Sequence, residues 1–79
     1  MSARVELISK PGCHLCDVAR EVIDIVCADT GDAWTEVSIS DDPNLADLYW
    51  DKIPVVLVDG RPHDFWRVNP ERLKAALRS

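Results

Sequence analysis

The chain has 79 residues, of which 47% are hydrophobic and 29% are charged, a composition typical of one globular domain rather than of a disordered segment. Its formal net charge of −5 repels phosphate backbones and anionic lipids, which argues against nucleic acids and membrane surfaces as partners. Neither a secretory leader pattern nor an apolar run of bilayer length occurs in the sequence. We therefore expect a cytoplasmic monomer folded as one domain over residues 1–79.

Seven secondary-structure elements are predicted along the chain, in the order βαβαββα. Apolar residues alternate as in a strand over residues 4–9, and they recur at helical spacing after a break at Pro11-Gly12. Asp42-Pro43 and Asn69-Pro70 are typical helix starts, and Asp59-Gly60 is a strong signal for a hairpin turn. The predicted strands span residues 4–9, 34–39, 55–58 and 62–66, and the predicted helices span about 13–29, 43–50 and from 70 onwards.

This order of elements predicts an α/β fold built on a four-stranded mixed sheet. The two initial βα units favour parallel pairing of the first two strands through a right-handed crossover, and the hairpin adds an antiparallel pair. Residues 55–58 are continuously apolar, as expected of a strand that is buried on both faces. We therefore place the first and third strands at the centre of the sheet, with helices on both faces.

Two of the three cysteines, Cys13 and Cys16, lie where the first strand turns into the first helix. Unpaired backbone N–H groups and the helix dipole stabilise a thiolate at such a helix start. The spacing of the two residues also suits a disulfide between them. We therefore predict that the more exposed Cys13 is an attacking nucleophile and that Cys16 is the resolving thiol. Lys10 and His14 add positive charge nearby, His14 only in part near neutral pH.

Other roles for the two cysteines stay open on the sequence alone. A zinc or iron–sulfur site usually needs four ligands, so metal or cluster carriage would require two subunits of a dimer, and we assign no metal ligand. A c-type haem attachment is excluded because Asp17, and not His, follows the second cysteine. An incidental pair of cysteines and a non-catalytic adaptor that binds other proteins are the remaining alternatives.

A second motif, Ile53-Pro54, directly precedes the most apolar predicted strand. Together with Cys13-His14-Leu15-Cys16 and the hairpin turned by glycine, it resembles the thioredoxin fold. The segment Lys10-Pro11-Gly12-Cys13 resembles the glutaredoxin branch, and in particular the small bacterial glutaredoxin-like proteins. The resemblance covers essentially the whole chain. It implies a dithiol–disulfide oxidoreductase active in electron transport, with a redox-active disulfide and a cis-proline loop packed against the cysteines.

The resemblance also implies four substrate-binding residues: Lys10, His14, Ile53 and Pro54. The backbone of Ile53 would pair with the main chain of a substrate, as in β-strand addition. Lys10 matches a basic residue that faces a carboxylate of glutathione in many glutaredoxins.

Two departures from the glutaredoxin pattern leave the electron donor open. His14-Leu15 stands where glutaredoxins typically carry Pro-Tyr or Pro-Phe, and residues 61–69 lack the glycine pair that holds glutathione. Glutathione, another low-molecular-weight thiol and a flavoprotein reductase are therefore all candidate donors. The expected substrate is a disulfide-containing protein or small molecule, and no tightly bound cofactor is expected.

The remaining aromatic and sulfur-containing side chains are predicted to be structural. Cys27 lies about 16 Å along the helix from Cys16, so we expect a half-buried packing residue that cannot pair with it. His63 is expected at the surface. Trp34 and Phe65 are expected to pack in the core or on a sheet face. The same packing is expected for Trp50 and Trp66, with a position at the border of the active site as the alternative.

Overall fold

The computed structural model describes residues 3–78 and confirms the predicted βαβαββα order. A single turn of 3-10 helix at Ile39–Asp41 is the one addition within this range. Each bound differs from its prediction by no more than one residue. The strands are β1 (Val5–Ser9), β2 (Trp34–Ser38), β3 (Val55–Val58) and β4 (Arg61–Phe65), and the helices are α1 (His14–Thr30), α2 (Pro43–Tyr49) and α3 (Pro70–Arg78).

The four strands form one mixed sheet in the order β2-β1-β3-β4, so the first and third strands lie at its centre as predicted. β1 pairs with β2 in parallel, from Val5 opposite Trp34 to Ser9 opposite Ser38. β3 runs antiparallel to both β1 and β4. The parallel pair brings the carboxyl ends of β1 and β2 to the same edge of the sheet, where α1 begins.

The pleat of the central strands divides the apolar core into two clusters, because successive side chains point to opposite faces of a sheet. Val5 and Leu7 of β1 belong to one cluster together with buried residues of α1 and α3. Ile8, the residue after Leu7, points to the opposite face and belongs to the other cluster. Leu45 and Tyr49 of α2 pack against this second cluster. Helices therefore cover both faces of the sheet, α1 and α3 on one face and α2 on the other.

The β3–β4 hairpin turns at Asp59 and Gly60, which have φ angles of 52° and 81°. Positive φ at both central residues is typical of a type I′ turn, for which Asp-Gly is a preferred sequence. A register shift after Val56 leaves His63 as an extra residue between Pro62 and Asp64, in a β-bulge. Pro62 is tolerated because β4 is an edge strand, where a missing N–H breaks no outer ladder.

Both predicted helix caps are present. The side chain of Asp42 accepts a hydrogen bond from the backbone N–H of Asn44 at the start of α2. Asn69 Oδ1 accepts from the backbone N–H groups of Glu71 (2.9 Å) and Arg72 (3.1 Å) at the start of α3. Among the helices of residues 3–78, none combines the length and the apolar character that a membrane crossing requires.

Four of the predicted structural residues need correction. Trp50 and Trp66 are 67% and 55% exposed and do not pack in the core, because Trp50 is the C-cap residue of α2 and Trp66 lies one residue beyond the end of β4. Cys27 is fully buried rather than half-buried, since it lies on the face of α1 that contacts the sheet. His63 is partly buried, and its Nε2 is enclosed without a hydrogen-bond partner in the described part of the chain. The prediction for Trp34 and Phe65 is confirmed, because both pack against the core clusters.

Candidate active site

Cys13 is the N-cap residue of α1. The Pro11-Gly12 turn before it places Gly12 at a φ of 70°, a conformation that an L side chain adopts at a steric cost. Cys13 itself is extended, and its Sγ accepts a hydrogen bond of 3.2 Å from the backbone N–H of Cys16. This N–H is one of the groups in the first turn of a helix that have no partner within the helix. A sulfur therefore occupies the place where Ser, Thr or Asp usually caps a helix, and a hydrogen bond of this kind is stronger when the sulfur is ionised.

The two thiols of this turn have different environments. Cys13 is partly buried, whereas Cys16 is only 1% exposed and belongs to the apolar cluster beneath α1. Burial, followed by the hydrogen bond with the Cys13 side chain, raises the pKa of Cys16 to about 11. The charge of Cys13 acts in the same direction, while the backbone N–H of Lys10 and the charge of Arg20 oppose it. Cys16 is therefore a neutral thiol near neutral pH.

The loop before β3 lies against the two cysteines. Ile53 is buried in the same apolar cluster as Cys16, and Cys13 packs against that cluster. Pro54 is fully buried, and the Ile53–Pro54 peptide bond is cis. Within residues 3–78, no hydrogen bond engages the backbone N–H or C=O of Ile53. Both groups are thus unpaired within the described chain, and Ile53 is 7% exposed.

A polar cleft of about 590 Å³ opens on one side of Cys13, and Lys10 and His14 line it together with Glu36. Arg20 forms a bidentate ion pair with Glu36, with distances of 2.8 and 2.7 Å, and its third contact is with Asp17 at 2.8 Å. The guanidinium, followed in effect by the hydroxyl of Ser9 at 2.7 Å, lowers the pKa of the Glu36 carboxyl, while desolvation by burial opposes the lowering. The positive charge of Arg20 is therefore already compensated within the protein.

An apolar groove of about 330 Å³ lies on the other side of the motif, and we call it the side groove. Trp66 forms part of its wall and has a φ of 63°, which costs a residue other than glycine on the order of 1–3 kcal/mol. Its indole N–H donates to the carbonyl of Asp51 (3.0 Å), and its backbone N–H donates to the carbonyl of Pro54 (2.8 Å). The residues that line the side groove include His14, Leu15, Val18, Trp66, Arg67 and Val68.

The structure thus brings all six predicted site residues to one end of the sheet. Cys13, Lys10 and His14 line the polar cleft, while Cys16, Ile53 and Pro54 lie beneath it or beside it. Sequence reasoning missed the ion pair of Arg20 with Glu36, whose partners come from α1 and β2. For Trp66 it favoured packing, to which the strand-like pattern of residues 62–66 pointed, and the alternative that it gave, a border of the site, agrees with the exposed position of Trp66 in the side groove.

Residues 3–78 contain no group of three or more His, Cys, Asp or Glu side chains that could hold a metal ion. Within one chain, Cys13 and Cys16 would therefore supply at most two ligands. Most structural zinc centres use four ligands.

Comparisons with known proteins identify the family and the fold of the chain. The Glutaredoxin-like domain family (DUF836) matches residues 4–78. The chain is 31% identical to the "Uncharacterized protein Rv0508" of Mycobacterium tuberculosis, over 94% of this chain and 81% of that protein. It is similar to the X-ray structure of protein XcR50 from X. campestris, with 33% identity, a TM-score of 0.76, and coverage of 94% and 95% of the two chains. Glutaredoxin C1 from Populus tremula x tremuloides, 16% identical with a TM-score of 0.56 over 96% of this chain and 84% of that one, shares the fold.

Proposed function

The chain belongs to the glutaredoxin-like domain family, and from that premise we propose that it is a dithiol–disulfide oxidoreductase that uses Cys13 and Cys16. The observation that carries this proposal is the unequal pair of thiols at the start of α1. The Sγ of Cys13 receives a backbone hydrogen bond at the surface, while Cys16 is held neutral directly beneath it. A nucleophile needs an accessible sulfur, and a reserve thiol needs to stay protonated until a substrate has been captured.

In the first step, the thiolate of Cys13 attacks one sulfur of a substrate disulfide. A bond forms between that sulfur and Cys13 Sγ, and the second substrate sulfur leaves as a thiolate that takes up a proton from water. In the second step, Cys16 loses its proton and attacks Cys13 Sγ, which releases the first substrate sulfur. Two electrons have then passed from the protein to the substrate, and a Cys13–Cys16 disulfide remains.

The environment of Cys16 favours this order of events. The hydrogen bond and the negative charge of Cys13 are two of the causes that raise the pKa of Cys16. Both causes change when Cys13 Sγ enters a mixed disulfide, because the sulfur then carries no charge. Cys16 therefore ionises more easily after capture of a substrate than before it. It stays protonated while Cys13 attacks the substrate disulfide, and its later ionisation promotes release of the substrate from Cys13.

The backbone of Ile53 is the proposed contact with the substrate main chain, because its N–H and C=O are unpaired in the described chain. Lys10 lines the polar cleft next to Cys13 and would attract an anionic group of a substrate or of a reducing thiol. No bound organic cofactor is needed in this scheme. An external donor, either a low-molecular-weight thiol or a flavoprotein reductase, would restore the dithiol in a reducing compartment such as the cytoplasm.

The proposal is tested by reduction of 2-hydroxyethyl disulfide and of a protein disulfide, with glutathione, another small thiol or a flavoprotein reductase as donor. Three variants are compared with the wild type: Cys13→Ser, Cys16→Ser and the control Cys27→Ser, which replaces a thiol remote from the site. Activity is expected to disappear in Cys13→Ser and to persist in Cys27→Ser, while Cys16→Ser accumulates a mixed disulfide on Cys13. Full activity of Cys13→Ser would refute the proposal.

A further inference from the structure

The basic side chains of this acidic protein differ in whether they form ion pairs within the structure. Ion pairs within residues 3–78 use six of the nine Lys and Arg residues. The other three, which form no ion pair with a described residue, are Lys10, Arg61 and Arg67. Lys10 lines the polar cleft and Arg67 lines the side groove, so two of these three cations border the hollows on either side of the cysteine motif. Positive charge is thus available next to Cys13 although the chain as a whole repels anions.

The side groove is apolar at its centre and cationic at its rim. Leu15 and Val18 of α1 are 42% and 47% exposed, and they face the groove beside Trp66. Arg67, the next residue in the chain, contributes the free guanidinium. Exposed apolar side chains that gather around a hollow mark a contact site more often than single ones do. His14 lines both this groove and the polar cleft, so the groove continues directly from the surface of Cys13.

Trp66 keeps the groove in a fixed position relative to the loop that carries Ile53. Its indole N–H donates to Asp51, and its backbone N–H donates to both Lys52 and Pro54, so the segment before α3 is joined to the chain on both sides of Ile53. A bulky aromatic residue at positive φ, more than half exposed, is unfavourable for folding alone, and conformations of this kind cluster at binding sites. The same residue therefore supplies an apolar wall and sets its distance from the backbone of Ile53.

We propose that the side groove is a specificity subsite that takes an apolar side chain of a polypeptide substrate next to its disulfide cysteine, with a neighbouring carboxylate of the substrate bound by Arg67. This assignment rests on the proposed function of Cys13 and Cys16. A volume of about 330 Å³ lies at the lower end of the range for ligand sites, roughly 300–1,000 Å³, and leaves room for one large apolar side chain. The unpaired guanidinium supplies charge complementarity to an acidic residue, and the free backbone of Ile53 suits an extended chain.

The test uses the Cys16→Ser background, in which Cys13 and a substrate remain joined. The substrates are mixed disulfides of mercaptoethanol with short peptides whose cysteine is flanked on both sides by leucine and then glutamate. Parallel peptides carry glycine for leucine, or glutamine for glutamate. Acid quenching and mass spectrometry give the rate at which Cys13 captures the peptide. We expect capture to be about tenfold faster with leucine than with glycine. We expect glutamate to be favoured over glutamine by about threefold, less at high salt.

Matched variants separate the groove from general surface effects. Val18→Thr should reduce the leucine preference, whereas Ile25→Thr, which alters an exposed residue of the same helix outside the groove, should leave it unchanged. Arg67→Gln should abolish the glutamate preference, and Arg61→Gln should preserve it. The subsite would be overturned if the parent captured all peptides at equal rates, or if each variant and its control had equal effects. In either case, capture of 2-hydroxyethyl disulfide would still support the redox function. Failure to react with any disulfide would overturn both.

Discussion

The buried thiol of Cys16 leads to a prediction about reactivity that follows from its pKa of about 11. At about pH 7.5, a thiol of this pKa is ionised to about 0.03%, whereas a free cysteine with a pKa of about 8.5 is ionised to about 9%. Because only the thiolate reacts with iodoacetamide, the smaller ionised fraction by itself should slow native Cys16 by about 300-fold relative to Cys16 of the urea-unfolded chain. Its burial, with 1% of its surface exposed, slows the reaction further.

The assay is a short pulse of iodoacetamide at low conversion, followed by fragmentation mass spectrometry that assigns each label to Cys13 or Cys16. Only singly labelled chains are counted, so that Cys13 is still free when Cys16 reacts. The rate at Cys16 should rise about tenfold per pH unit through the weakly alkaline range. In Cys13→Ser it should exceed the wild-type rate, because the charge of Cys13 is gone, yet stay below that of the unfolded chain, because burial remains. A native rate within tenfold of the unfolded rate, or a plateau below about pH 9, would refute the reasoning.

Three further predictions concern stability. Leu73→Ala leaves a cavity at a fully buried position and should lower the free energy of unfolding by about 2–5 kcal/mol, seen in thermal denaturation as a loss of roughly 10 °C or more. Asn69→Ala removes the oxygen that caps two N–H groups and should cost about 1 kcal/mol in urea titrations, most of which Asn69→Ser restores. Glu36 has a lowered pKa in the folded protein, so its contribution to stability is present above its ordinary pKa and is lost as the pH falls through the lowered value. The fall in melting temperature between neutral and acid pH should therefore be smaller in Glu36→Gln, and an equal fall in both proteins would contradict the assignment.

The elements of this fold could be predicted because their signals are local. The caps at Asp42 and Asn69 and the turn at Asp59-Gly60 depend on residues within four positions of one another. The central position of β3 was also predictable, since its continuous apolar run requires burial on both faces. The placement of Cys13 at the start of α1 followed from the same local logic, and the structure assigns it the N-cap position.

Features that depend on distant contacts could not be predicted in this way. Trp66 continues the pattern of a strand, but its backbone N–H donates to Lys52 and Pro54 and its φ is positive, so β4 ends one residue earlier. The pairing of Arg20 with Glu36 requires the register of β1 with β2, which no pattern within either segment reveals.

The difference between the two thiols combines both kinds of information. The chain order alone makes Cys13 the cap and leaves the N–H of Cys16 to donate to it, because the third residue of a helix presents its N–H to the cap. The depth of Cys16 depends on other segments of the chain, because Ile8 of β1 and Ile53 of the loop before β3 pack with it in one apolar cluster. A change in those apolar residues should therefore alter the ionisation of Cys16 without touching either sulfur. The different roles proposed for the two cysteines, which are only one helical turn apart, thus depend on the core as much as on the motif that contains them.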